Sequence, residues 1–245
     1  MYARCFVCDA NRLDRRLFVP HTKRMKSHAF NTLIAEAYTT PLKTVTVYAR
    51  LLKEAGLLTS GARGRNAPDM KPLDAARLTL AMLTTDSPAE CVERVQRFGK
   101  IKYSPRYKKT IRGYETIQPD HFGNLFHGET LEDVLSYVFS LPALIGVDES
   151  CKWFDKNVFH LRVSDFEVLA ELFQWKWDGN EVVGELVVPF KGEVMVESEG
   201  AFHHVKNFAT IKGGIRSTRL ISGTSFLSIG IGLLHVDNAQ FGDAE

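Results

Sequence analysis

Leu33 to Leu58, LIAEAYTTPLKTVTVYARLLKEAGLL, decides how this chain is read. Phe30, Leu33, Ile34 and Ala37 recur at helical spacing and make one apolar stripe. Thr39-Thr40-Pro41 interrupts it, because proline lacks a backbone donor and disfavours helical geometry in the residue before it. A second helix then starts, either with Thr40 as cap and Pro41 in its first position or with Thr44 as cap. It runs to Ala55, and Gly56 ends it. Val45, Tyr48, Ala49, Leu52 and Ala55 fall on one face of that helix. Lys43, Thr46, Arg50 and Lys53 fall on the other, three or four residues apart.

A helix of this kind can pack one face on a supporting helix. The opposite face then offers hydroxyls, methyls and cations to base edges and phosphates, with its first turn deepest in the groove. The alternative is an ordinary amphipathic pair in a core. Together Leu33–Ala37, Thr44-Val45 and Glu54-Ala55-Gly56-Leu57-Leu58 resemble the winged helix-turn-helix domains of bacterial and phage-type transcription regulators. The resemblance covers about 45 of the 245 residues. It implies double-stranded DNA as partner, with Lys43, Thr44, Thr46, Val47, Arg50 and Lys53 at the major groove. Such a domain usually has a helix ahead of the pair; here only Met25 to Ala29 is available, so a third core helix is expected after the wing.

Thr59 to Met70, TSGARGRNAPDM, stands where the wing would be. Arg63-Gly64-Arg65 sets two guanidiniums around a glycine, a tip suited to backbone phosphates or a narrow minor groove. Pro72 to Leu83 reads as a helix with Asp74 in its first turn. Ser87-Pro88 opens another, with Ser87 as cap and Val92, Val95 and Phe98 inside. Cys91 reads as a small core residue, since no cation is placed to activate it.

Charge divides the chain. Residues 1–113 hold 22 Lys and Arg against 9 Asp and Glu; residues 114–245 hold 9 against 20. The overall net charge of +2 conceals this, and a half-chain that basic suits a polyanion. Gly99 to Gly113, GKIKYSPRYKKTIRG, interleaves cations with Tyr103 and Tyr107, as a nucleic-acid grip or as a solvated linker would. The sign change there is the expected domain boundary.

In the acidic half, Leu131 to Leu141 reads as a helix with Pro142 just past its end. Phe159, Leu161 and Val163 alternate, as do Phe173, Trp175 and Trp177; Asp178-Gly179 then signals a hairpin returning through Val182 to Val188. Glu193 to Glu197 and Lys206 to Lys212 suit short strands, and Ser222 to Leu234 reads as a closing helix weakened by Gly230 and Gly232.

The leader, residues 1–24, has little periodicity and precedes Met25. Cys5-x2-Cys8 with His21 and His28 approaches a zinc-finger spacing, but the His-to-His gap is one residue too long. An upstream extension outside the fold is the expectation, with no metal and no cofactor. No apolar run approaches the roughly 18 residues of a spanning helix, and the first residues lack the apolar block of a signal peptide. Hydrolase elbow, P-loop, dinucleotide and zinc-protease motifs are all missing from the sequence. Asp148-Glu149 and His203-His204 invite a metal reading, but loop carboxylates and adjacent histidines are commonplace.

The expected fold is α+β. An N-terminal (winged) helix-turn-helix domain over 25–98 leads through a basic linker, 99–115, into a small antiparallel-sheet α+β domain over 116–245 that oligomerises or senses an effector. The expected protein is a cytoplasmic, homo-oligomeric, non-enzymatic transcription regulator. A phage-like DNA packaging or assembly factor using the same module, or a structural protein, are the alternatives.

Overall fold

The computed structural model describes residues 25–62, 66–103, 107–110, 113–116, 130–156, 160–164, 168–178, 181–192, 195–198, 201–204 and 218–237. The leader with Cys5, Cys8 and His21, the Arg63-Gly64-Arg65 tip, the turn-rich 117–129, the Gly179 hairpin tip and the expected strand at 206–212 lie outside these residues.

The fold is α+β. Seven α-helices are described: α1 (Ser27–Ala37), α2 (Leu42–Glu54), α3 (Pro72–Thr84), α4 (Cys91–Gly99), α5 (Leu131–Ile145), α6 (Val147–Lys156) and α7 (Gly223–Asp237). The strands are β1 (Lys102–Tyr103), β2 (Tyr107–Thr110), β3 (Gly113–Thr116), β4 (His160–Ser164), β5 (Leu169–Asp178), β6 (Glu181–Lys191), β7 (Met195–Ser198), β8 (Ala201–His204) and β9 (Thr218–Ser222). Seven form one antiparallel sheet in the order β3-β2-β6-β5-β4-β9, with β1 also on β6; β7 and β8 pair separately.

The alternating aromatics do form a hairpin. β5 and β6 pair from Leu169↔Lys191 to Asp178↔Glu181, with one register shift at Lys176/Trp177. The basic stretch 99–115 is not a linker in its described part: it supplies β1, β2 and the start of β3. Register explains how so basic a segment enters a sheet. In the register Lys108 lies opposite Glu115 and Lys109 opposite Glu185, positions at which opposite charges favour pairing.

Several elements shift from the expected bounds. Ser87 makes no side-chain cap; Pro88–Glu90 is a short 3-10 turn and α4 starts at Cys91. Val92 is only partly buried, while Cys91, Val95 and Phe98 are buried. Pro142 lies inside α5, which continues to Ile145 and stops at Gly146 with φ +84°. Asp148 and Glu149 occupy the first turn of α6, where carboxylates favour the helix dipole.

The boundary read from the charge switch does not mark a gap in the core. Buried residues from Phe30 in α1 to Leu233 in α7 form one continuous cluster, which includes one sheet face through Leu161, Val163, Leu172, Phe190 and Ile221. α7 packs most of its surface on its neighbours: Phe226, Leu227, Ile229, Ile231 and Leu233 are all buried, while Thr224 and Ser228 keep one side exposed. Its glycines are crossing points. A Cβ at Gly230 would lie 2.8 Å from the Phe139 carbonyl of α5, and one at Gly232 would lie 2.5 Å from Leu33 of α1. The C-terminal helix therefore serves as the floor under the N-terminal one. Polar ties cross the same boundary: Arg77 to Glu132 at 3.0 Å, Arg219 to the Leu83 carbonyl at 3.0 Å, and the Leu131 amide to the Ile101 carbonyl at 2.9 Å.

Candidate nucleic-acid interface

α1 and α2 are joined by Tyr38 to Pro41, a connection of helix-turn-helix length. Both helices end in the same way. At the end of α2 the Gly56 amide donates to the Lys53 carbonyl (3.0 Å) and the Leu57 amide to the Leu52 carbonyl (2.8 Å). This Schellman pattern needs a left-handed residue, and Gly56 supplies it at φ +69°. At the end of α1 the Thr39 amide donates to Glu36 (3.2 Å) and the Thr40 amide to Ala35 (2.9 Å). The left-handed residue there is Thr39, at φ +48°. A β-branched side chain is strained in that region. The sequence hid this demand because the turn contains no glycine.

α2 starts at Leu42 with Pro41 in the cap position, and neither Thr40 nor Thr44 caps it with a side chain. Val45, Tyr48, Ala49 and Leu52 are buried as expected, but Ala55 is exposed because the helix has already ended. The Tyr48 hydroxyl donates to the Thr85 carbonyl (2.9 Å), fixing α2 to the end of α3. Tyr38 and Thr79 hydroxyl oxygens lie 2.5 Å apart and tie the turn to α3. Burial, opposed by the Thr79 hydrogen bond, pushes the Tyr38 phenol well above its ordinary pKa. α3 follows the 57–71 segment, with the Asp74 carboxylate accepting from the Lys71 amide (2.6 Å) and the Thr59 amide (2.7 Å).

The outward face of α2 holds Lys43, Thr44, Thr46 and Arg50, all exposed. Lys43 has no ion-pair partner among the described residues. Thr46 donates its hydroxyl to the Leu42 carbonyl (2.8 Å), which leaves its methyl and an oxygen lone pair to present outward. Arg50 faces Glu54 at 3.7 Å, with both side chains about two-thirds exposed (66% and 64%). A pair so exposed is weak, so Arg50 is free to exchange its partner for phosphate. Val47 is half-buried at the edge of this row.

Lys53 does not belong to the row. Its ammonium donates to the Ser27 hydroxyl at the start of α1, and the side chain is half-buried. Desolvation pushes its pKa down, against the pull of Asp74. Helical spacing put Lys53 on the outward face, but its long stem reaches back over α1. The wing is also absent as a strand pair among the described residues of 57–71. Its base is closed instead: a Cβ on Gly61 would lie 3.1 Å from Pro68. The Met70 amide donates to the Met25 carbonyl (3.0 Å), and Lys26 pairs with Asp69 (3.0 Å). Arg63 and Arg65 lie outside the described residues.

No protein-family model, curated protein or solved structure matches this chain.

Two further features escaped sequence reasoning. An open cleft of about 710 Å³ runs between the α1–α2 turn and β9, with Thr39, Thr40, Arg219, Leu220 and Ser222 on its walls. On the sheet face turned away from the helices, the Arg162 guanidinium lies 4.5 Å over the Phe173 ring and bonds Glu171 at 2.7 Å. His160 stacks on the same ring at 5.4 Å. Only the β4–β5 register, Arg162↔Glu171 and His160↔Phe173, brings these residues together. Groups of three or more metal-ligating side chains are absent among the described residues, and no described helix is long and apolar enough to cross a membrane.

Proposed function

We propose that this protein binds double-stranded DNA through α2 and acts as a transcription regulator of bacterial or phage type. The observation that carries the proposal is the division of α2 into two faces. Val45, Tyr48, Ala49 and Leu52 fix one face in the core, while Lys43, Thr44, Thr46 and Arg50 stand exposed on the other. A rigidly seated helix with cations, a methyl and hydroxyls on its free face has the chemistry that major-groove reading requires. Thr46 suits a thymine methyl, and Lys43 and Arg50 suit guanine or phosphate.

Gel-shift titrations on random duplex across salt concentrations test this. Affinity should fall steeply with salt, with a slope of roughly 0.9 per phosphate neutralised. Arg50→Ala should flatten the slope by about one unit if it meets a phosphate, with no change in melting temperature. Lys53→Met should leave the slope alone, because that ammonium is held at Ser27. Absence of binding at low salt sinks the proposal, as does Arg50→Ala behaving like the wild type. Tight binding to one operator supports a regulator; a ring-shaped oligomer with little sequence preference points to a packaging factor instead.

A further inference from the structure

Thr46 stands in the middle of the row that α2 offers outward. Lys43 lies three residues before it and Arg50 four after, so the three share one line along the helix with a cation at each end. All three are exposed. The helix beneath them is held against rotation: Val45, Ala49 and Leu52 are buried, and the Tyr48 hydroxyl donates to the Thr85 carbonyl at 2.9 Å. Cations at the two ends can hold backbone phosphates, which leaves Thr46 between them to meet a base edge.

A threonine in that place can offer a donor, an acceptor and a methyl. The fold removes the first. The Thr46 hydroxyl gives its proton to the Leu42 carbonyl one turn back, at 2.8 Å. That bond also selects one of the two side-chain rotamers open to threonine in a helix, so methyl and oxygen are held in fixed directions. The outward surface of Thr46 is therefore a methyl beside a hydrogen-bond acceptor.

The bases differ in how they meet such a surface. Thymine carries its methyl next to the O4 acceptor, which would set oxygen against oxygen. Adenine presents the N6 donor without a methyl, and guanine presents acceptors. Cytosine presents the N4 donor, but with a bare hydrogen where thymine has its methyl. Cytosine methylated at that carbon carries a methyl next to a donor, the complement of Thr46. We propose that α2 reads 5-methylcytosine in the major groove through Thr46, so that cytosine-methylated duplex is the preferred DNA. This rests on the DNA-binding reading of α2 and names the base chemistry it selects.

The test uses the full chain and a random duplex pool synthesised with 5-methylcytosine in place of cytosine. Bound duplexes are enriched, and one of them is then altered a single base pair at a time. At one position, removing the methyl should weaken binding about fourfold, as expected for one buried methyl-sized group. Exchanging that pair for A·T keeps a methyl in the groove but should weaken binding about fivefold, as expected for one neutral hydrogen bond. Two conservative variants separate the halves of the effect. Thr46→Val keeps a methyl without the acceptor: it should still respond to the methyl but no longer tell the two pairs apart. Thr46→Ser keeps the acceptor without the methyl: it should still prefer the cytosine pair but ignore its methylation. The site is exposed, and unchanged melting temperatures would show that both variants fold. Wild-type binding that ignores the methyl at every position overturns the proposal and leaves DNA binding intact. So does a methyl effect that both Thr46 variants retain, since another side chain would then be its reader. Absence of binding to any duplex, methylated or not, removes this proposal together with the proposed function.

Discussion

Replacing Thr39 with glycine should stabilise this protein, although it deletes a side chain beside the proposed reading helix. Thr39 is exposed and sits at φ +48°, the left-handed position that ends α1. A left-handed L-residue costs roughly 1–2 kcal/mol, and β-branching places threonine among the worse cases. Glycine removes that strain but gives back part of the gain, because it makes the unfolded chain more flexible, by roughly 0.4–1 kcal/mol. The net expectation is a gain of about 1 kcal/mol, or about 2–4 °C in Tm for a chain of this length. Gly56 is the internal control. It occupies the equivalent position at the end of α2 at φ +69°, and a Cβ there would meet nothing within 4 Å. Gly56→Ala therefore isolates the backbone term and should cost about 1 kcal/mol. Urea unfolding followed by circular dichroism reads both variants, with the slope unchanged in each. If Thr39→Gly is neutral or destabilising while Gly56→Ala behaves as expected, the strain assigned to Thr39 is wrong. Functionally, Thr39→Gly leaves Lys43 and Arg50 in place, so any loss of DNA affinity would come from loosening the turn that aims α2.

Two more expectations follow from packing and from burial. Gly230→Ala should destabilise by about 1–3 kcal/mol, because its Cβ would strike the Phe139 backbone oxygen; in an isolated helix the same change stabilises by about 1 kcal/mol, so the sign in a denaturation curve is decisive. Gly232→Ala should cost less, since the atom it meets is the movable end of Leu33. Burial holds the His160 imidazole below its usual pKa of 6.5; its contribution to stability is therefore present above that value and lost as pH falls through the lowered pKa. Wild-type Tm should drop below pH 6.5 more steeply than that of His160→Phe, and parallel curves would remove His160 as a source of acid sensitivity.

Much of the local structure was legible in the sequence because it depends on local rules. The period of Val45, Tyr48, Ala49 and Leu52 and the glycine at position 56 specify α2 and its end without help from the rest of the chain. The alternation through Trp175 and Trp177, with Asp178-Gly179 behind it, specifies the β5–β6 hairpin in the same way. Of the proposed DNA-facing row, Lys43, Thr44, Thr46 and Arg50 stand exposed where helical spacing put them.

What remained illegible depends on distant partners. Lys53 leaves the row because Ser27 lies within reach of its stem. Gly230 and Gly232 look like defects in α7 until α5 and α1 are seen crossing at those positions. The change of charge near residue 113 looks like a seam between domains. In the folded chain the basic strand β2 instead lies between β3 and β6, with Glu115 and Glu185 opposite its lysines. Spacing along the chain by itself determined α2 with its apolar face, α3, α5 and the β5–β6 hairpin, but not α6 or the strands of the 99–115 segment. Only the tertiary structure decided that α7 supports α1, that the two oppositely charged halves share one core, and that Lys53 reaches Ser27. Those outcomes follow from close contact between residues far apart in the chain, and no periodicity in the sequence encodes them.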